Sequence, residues 1–258
     1  MKRAAIFFLL CLTAAWAASN WNAPLVGVTR GARNQLHPVY GVAGSFVLRG
    51  ALKGDALNWA FAASGGLMQT DGELSVLDAR ANVTERRATS ASEVILSPDY
   101  AFFPKTGELW PAGVSTDGSI AIEPAVIAGR VIALGPADQR GIVLAACRGN
   151  QLWLLTFSVK KGALLHESMP GGAVGEQACD NPGALLVLKD RLLLAAGREI
   201  VIQTAGGQER HVPIYGTRIH RAGEDTVQIE LPGLPSQLMR ISAEGERLYE
   251  MPAAEARP

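Results

Sequence analysis

The sequence predicts an all-β chain built from repeated four-stranded antiparallel sheets, about five or six of them. Three observations carry this. A pattern of turn, acidic or amide residue, aliphatic residue and extended run recurs about every 41 residues. Nowhere does an i, i+3, i+4, i+7 apolar pattern persist for twelve residues, so long amphipathic helices are not expected. The 28 glycines and 14 prolines supply corners for many tight turns.

The recurring pattern runs through the chain in order. It reads Thr70-Asp71-Gly72-Glu73-Leu74, then Lys105-Thr106-Gly107-Glu108-Leu109, then Arg148-Gly149-Asn150-Gln151-Leu152. It returns as Gly197-Arg198-Glu199-Ile200 and Pro235-Ser236-Gln237-Leu238. The aliphatic anchors at 74, 109, 152, 200 and 238 are spaced by 35, 43, 48 and 38 residues. After each anchor comes a second turn and a polar run: Val83-Thr84-Glu85, Ser119 to Ile122, Ala163 to Leu165, Glu209 to Val212, Arg247 to Tyr249. Before each lies a more apolar strand: Trp59 to Ala63, Tyr100 to Phe103, Ile142 to Cys147, Arg191 to Ala196, Val227 to Leu231. Before those come Ser45 to Leu48, Glu93 to Leu96, Gly129 to Leu134, Leu185 to Leu188 and Thr217 to His220.

Each unit therefore holds four strands. A single four-stranded sheet cannot bury both faces. Stacking such sheets around an axis does, which makes a β-propeller; a β-sandwich is the alternative, and it needs no regular period. A propeller expects apolar inner strands and polar outer ones. Leu185 to Leu188 and Ile142 to Ala146 are continuously apolar, while Val83 to Arg87 and Gln208 to His211 are polar. Leu25 to Tyr40 reads as a further hairpin, half a blade that helps to close the ring against the C-terminal unit.

One stretch carries a family resemblance. Leu96-Ser97-Pro98-Asp99-Tyr100-Ala101-Phe102 resembles the Ser-Pro-Asp strand opening of bacterial WD-repeat-like and YVTN-type propellers, with Tyr100 in place of the usual glycine. The resemblance implies a turn between the first and second strands of a blade. It implies no catalytic residue, and the other four units share only the period.

The first seventeen residues stand apart. Lys2 and Arg3 precede an apolar stretch from Ala4 to Trp16, and Ala15-Trp16-Ala17 is an A-x-A site. This is a secretory signal pattern with cleavage between Ala17 and Ala18, placing the chain in the periplasm or outside the cell. A membrane anchor is the other reading, but the run is shorter than the ~20 residues a spanning helix needs. Cys11 lies inside the apolar run after Leu10, which argues against a lipoprotein. No later segment is long and apolar enough to span as a helix. The expected organisation is a signal peptide over 1–17, a propeller domain over 24–252 and a disordered tail over 253–258.

Composition narrows the partners. With 24 basic and 24 acidic side chains there is no electrostatic footprint for nucleic acid. After signal removal Cys147 and Cys179 remain, and an oxidising compartment favours their pairing as a disulfide; the alternative is a buried inert Cys147 and an exposed Cys179. His37, His166, His211 and His220 form no close ligand spacing, so no metal and no cofactor are expected. His166 and His211 fall on outer strands and read as solvated, as do the pairs Lys160-Lys161 and Arg86-Arg87. Trp59, Trp110 and Trp153 read as packing residues. There is no G-x-S-x-G, Walker or dinucleotide fingerprint, and no catalytic residue is assigned.

Two functions fit. One is an exported, non-catalytic scaffold for an unknown protein or small-molecule partner, since repetition sets many equivalent loop tips around one face. The other is a hydrolase or lyase whose residues converge on the axis. An axial cluster of His, Arg and carboxylate would favour the enzyme, and an apolar axis the scaffold.

Overall fold

Alternating apolar runs and glycine-bearing corners fold the chain into hairpin after hairpin. In the computed structural model residues 23–31, 34–42, 45–113, 118–136, 141–181, 183–242 and 245–251 are described. The cleavage site at Ala17 and Ala18, Trp16, Trp21 and the 253–258 tail lie outside them.

Six antiparallel sheets form a propeller. The first has three strands, β1 (Leu25–Arg30), β2 (Leu36–Val42) and β3 (Ser45–Leu48). Five four-stranded blades follow. The first is β4 (Asn58–Ala62), β5 (Gly65–Thr70), β6 (Glu73–Leu77) and β7 (Val83–Ala88). The second is β8 (Ile95–Leu96), β9 (Tyr100–Phe103), β10 (Glu108–Pro111) and β11 (Ile120–Ala121). The third is β12 (Arg130–Leu134), β13 (Ile142–Arg148), β14 (Gln151–Phe157) and β15 (Leu164–Ser168). The fourth is β16 (Leu185–Val187), β17 (Arg191–Ala195), β18 (Ile200–Thr204) and β19 (Glu209–Val212). The last is β20 (Arg218–Arg221), β21 (Thr226–Glu230), β22 (Gln237–Ser242) and β23 (Gly245–Glu250). Among the described residues the α-helices are two short ones, α1 (Pro124–Ile127) and α2 (Gly172–Gln177).

The core lies between blades. Phe102 and Leu109 of one blade pack against Ile142, Leu144 and Phe157 of the next, all fully buried. Each such side chain contributes about 1.5–3 kcal/mol of transfer free energy. The middle strands are therefore apolar on both faces, whereas the outermost strand β15 is exposed along its whole length.

The innermost strands β4, β8, β12, β16 and β20 neighbour one another in a closed ring, with β20 directly against β4. The three-stranded sheet sits at that seam, and β1 touches both β4 and β21. The Val28 amide donates to the Ala222 carbonyl at 3.0 Å. The backbones approach so closely that a Cβ on Gly27 would collide with the Ala222 carbonyl.

Two sequence expectations are corrected. Ser45–Leu48 is the outer strand of the three-stranded sheet, where it had been read as the inner strand of the first four-stranded unit. That unit instead begins at β4, and β5 had been missed. Gly65-Gly66 looks like a corner in the sequence. In the fold both belong to a strand, and a Cβ on Gly66 would strike the Ala60 carbonyl on the paired strand. The Ser97-Pro98-Asp99 turn does join β8 to β9, with the Ser97 amide donating to the Tyr100 carbonyl at 2.8 Å.

Cys147, in β13, is joined to Cys179 by a disulfide, with Cα atoms 5.7 Å apart. Residues 171–181 are glycine-rich at their start, which reads as a loop in the sequence. They contain α2, whose Val174 is fully buried, as is Ala178 just beyond it. Gln203 donates to the Gly171 carbonyl at 2.8 Å, and Arg130 to the Cys179 carbonyl at 3.0 Å. The segment is a plug seated across two blades.

Candidate functional site

The ring of first strands encloses an axial cavity of about 280 Å³. All five contribute to its wall. On β12 and β16 the wall is apolar: Ile132, Ala133, Leu134, Leu185 and Leu186. On β20 Arg218, Ile219, His220 and Arg221 line it, and Glu93 lies beside β8.

The chemistry of this side follows from strand register. In the β20–β21 hairpin Arg218 is opposite Glu230 and His220 is opposite Gln228. Alternate residues share a face, so four polar side chains occupy one face of one hairpin. Trp59 of β4 joins them from the next blade, and Arg30 of β1 arrives from the three-stranded sheet. The imidazole of His220 stacks on the Trp59 indole, with centroids 3.8 Å apart and planes 15° apart. The Arg30 guanidinium lies 4.4 Å from the Trp59 ring centroid. Glu230 Oε1 is 3.3 Å from Arg30 and 3.2 Å from His220 Nε2. Both approaches join the three-stranded sheet and β20 to the same carboxylate.

Burial pushes the His220 imidazole below its ordinary value, and Arg30 and Arg218 add to that, against the opposing pull of Glu230. Burial acts to raise the Glu230 carboxyl, but His220, Arg30 and Arg218 together hold it below its ordinary value. At neutral pH the cluster therefore holds a neutral imidazole beside a carboxylate.

Unpartnered polar atoms gather here too. Among the described residues the buried side-chain atoms without a hydrogen-bond partner are Thr29 Oγ1, Arg30 Nε, Trp59 Nε1, His220 Nε2, Gln228 Nε2 and Glu230 Oε1. All but Thr29 Oγ1 belong to this cluster. The cluster lies at the seam where the three-stranded sheet meets the ring.

The other sequence-marked residues lie elsewhere. His166 is on exposed β15, and His211, on β19, pairs with Glu199 at 3.0 Å. His37 lies 3.1 Å from the Arg49 carbonyl oxygen. Among the described residues no three His, Cys, Asp or Glu side chains are grouped to hold a metal. Arg87 departs from expectation. It is 8% exposed and bonded to Glu85 at 2.6 Å, because its side chain folds in towards Trp110. The sequence reading passed over the His220 cluster altogether. Its usable signal was the alternation of Arg218 and His220 on one strand against Gln228 and Glu230 on the next.

No family model matches the sequence, and no curated protein matches it. Solved structures do resemble it. PorZ, a bacterial surface component of the type-IX secretion system of Porphyromonas gingivalis, aligns with a TM-score of 0.51 at 11% identity. The alignment covers 92% of this chain and 39% of that one. Virginiamycin B lyase from Staphylococcus aureus aligns at 0.43 and 9% identity, over 90% of this chain and 86% of that one. The Pan2 WD40 domain of Neurospora crassa aligns at 0.40 and 7% identity, over 89% and 79%. At such identities the likeness is one of fold, and a propeller fold does not fix an activity.

Proposed function

We propose that the protein is an exported, non-catalytic propeller that binds a ligand or partner. The observation that supports this best is the state of the wall histidine. A cluster of His, Arg and carboxylate does stand at the axis, the feature that would favour an enzyme. Yet His220 has one face of its ring against Trp59 and its Nε2 turned to Glu230. The side chains of His220, Arg30 and Glu230 are 10%, 15% and 19% exposed. Arg30 and Glu230 spend their charge on one another and tie the three-stranded sheet to the ring. A general acid or base must reach a proton on the substrate.

Export is part of this reading. It rests on the signal pattern ending at Ala17, on the Cys147–Cys179 disulfide, which suits an oxidising compartment, and on the surface location of PorZ. A lyase or hydrolase is the second reading, favoured by the presence of the cluster itself. The two separate by mass balance. Ligands found by thermal shift are incubated with the protein and analysed by mass spectrometry. Recovery of the ligand unchanged is the expected result. Turnover that His220→Gln abolishes would establish the enzyme.

A further inference from the structure

We propose that the groove between the three-stranded sheet and the last blade is the docking site of the mature N-terminus, residues 18–22, with Trp21 against its apolar side. This rests on cleavage after Ala17. The groove holds about 330 Å³ and shares no lining residue with the axial cavity. Val26, Val42, Phe46 and Tyr249 give it an apolar side. These side chains are open to an occupant. Val42 is 56% exposed, and Val26, Phe46 and Tyr249 are only partly covered by the core on which they pack. Phe46 of β3 and Tyr249 of β23 meet edge to face at 5.4 Å across the two sheets, and a third ring extends such a pair.

The path of the chain selects the occupant. The Gly41 amide donates to the Pro24 carbonyl at 3.0 Å, and Gly41 and Val26 both line the groove. The tips of the β2–β3 and β20–β21 hairpins, at Val42 and at Glu224 and Asp225, stand at the same end. The chain therefore enters β1 at the mouth of the groove. Trp21 is three positions before Pro24, a reach of about 10 Å in extended chain. It is the one large apolar residue of Ala18-Ser19-Asn20-Trp21-Asn22, and an indole gains transfer free energy by leaving water for an apolar wall. Charge agrees with this occupant. Cleavage leaves an α-ammonium at Ala18, about 20 Å of extended chain from Pro24. Glu224 and Asp225 are exposed on the lining and Arg240 stands with them, so the lining carries one net negative charge. Glu224 is shared with Arg221 at 3.5 Å. Asp225 feels Arg191 and Arg221 at longer range and has no ion pair within reach among the described residues.

The test uses the chain prepared with Ala18 as its first residue, so the outcome does not depend on export. In protein carrying 5-fluorotryptophan, the Trp21 fluorine signal, assigned by Trp21→Phe, should lie away from its position in urea. It should move when Val42→Asp places a charge in the groove; circular dichroism checks that this exposed substitution still folds. Trp21→Ala and deletion of residues 18–22 should each lower the melting midpoint by roughly 3–12 °C, as loss of one buried aromatic implies. Trp21→Ala combined with Val42→Asp should cost no more than the larger of the two alone, because both break one contact. A Trp21 signal at its urea position, a midpoint unmoved by Trp21→Ala, or additive losses in the double variant would each overturn the proposal. Sedimentation showing a dimer that Val42→Asp dissociates would give the groove to a second copy, and overturns it as well. Docking in a chain that is not exported refutes the export reading and leaves the groove assignment standing. Export without docking does the reverse, and a mature chain that begins beyond Trp21 overturns both.

Discussion

Removing the disulfide should cost stability that can be worked out from the chain. Cys147 and Cys179 are 32 positions apart. Closing a loop of that size lowers unfolded-chain entropy enough to stabilise by about 3–4 kcal/mol in the chain-entropy model. For a chain of this length, ~1 kcal/mol moves the melting midpoint by ~2–4 °C, so the paired Cys147→Ala and Cys179→Ala variant should melt roughly 7–15 °C lower. The loss should also be local. The bridge pins α2, whose buried contacts are few beyond Val174 and Ala178, so limited proteolysis should cut first between 169 and 183. Calorimetry of wild type with and without reductant, beside the variant, measures the first effect. Thiol titration of the denatured, non-reduced protein should find no free group after signal removal. Two free thiols, or a midpoint that neither reductant nor the variant moves, would refute the reasoning.

Other outcomes follow from the seam and the termini. The folded-state pKa of His220 lies below its ordinary 6.5. The unfolded chain therefore binds more protons, and stability should fall as pH drops below about 6.5. Glu230, held below its ordinary 4.5, adds a further loss as pH falls beneath that value. Urea midpoints of wild type should decline from pH 7.5 to 5.5, and His220→Gln should flatten the decline; a rise on acidification would contradict the burial argument. Gly27→Ala forces a Cβ into the Ala222 carbonyl and should cost ~1–3 kcal/mol by overpacking, read by urea denaturation; an unchanged midpoint would mean that the seam is loose. Replacing Lys2 and Arg3 by Glu, or Leu9 and Leu10 by Arg, should retain the chain in the cytoplasm. Export of the altered chain, or a mature N-terminus away from Ala18, would remove the signal-peptide reading.

From β8 onward the strand positions were legible, because each corner carries its own turn chemistry and each run its own polarity. The first unit slipped for a physical reason. Gly65 and Gly66 are needed for close backbone approach inside a sheet, yet in the sequence they have the composition of a turn. The site was less legible. Arg30 and Gln228 meet across 198 positions, the Arg30 amide donating to the Gln228 side chain. Only ring closure brings β1, β4 and β20–β21 together, and no local spacing encodes that. His220 on its own is one histidine on a short strand. Its partners come from three other strands, so the sequence could show the residue types but not their convergence.

The central claim is that the chain closes into a ring in which Trp59 of β4 packs against His220 of β20 and Arg30 of β1. It is tested most directly by fluorine NMR of mature protein carrying 5-fluorotryptophan, compared between wild type and His220→Ala. Trp59 is in the axial wall, whereas Trp110 packs against Phe103 and Trp153 lies under Arg148 on the blades. With signals assigned by Trp→Phe substitution, the account predicts that His220→Ala shifts the Trp59 resonance while those of Trp110 and Trp153 stay in place. A shift confined to Trp110 or Trp153, or a Trp59 signal that His220→Ala leaves unmoved, would contradict it.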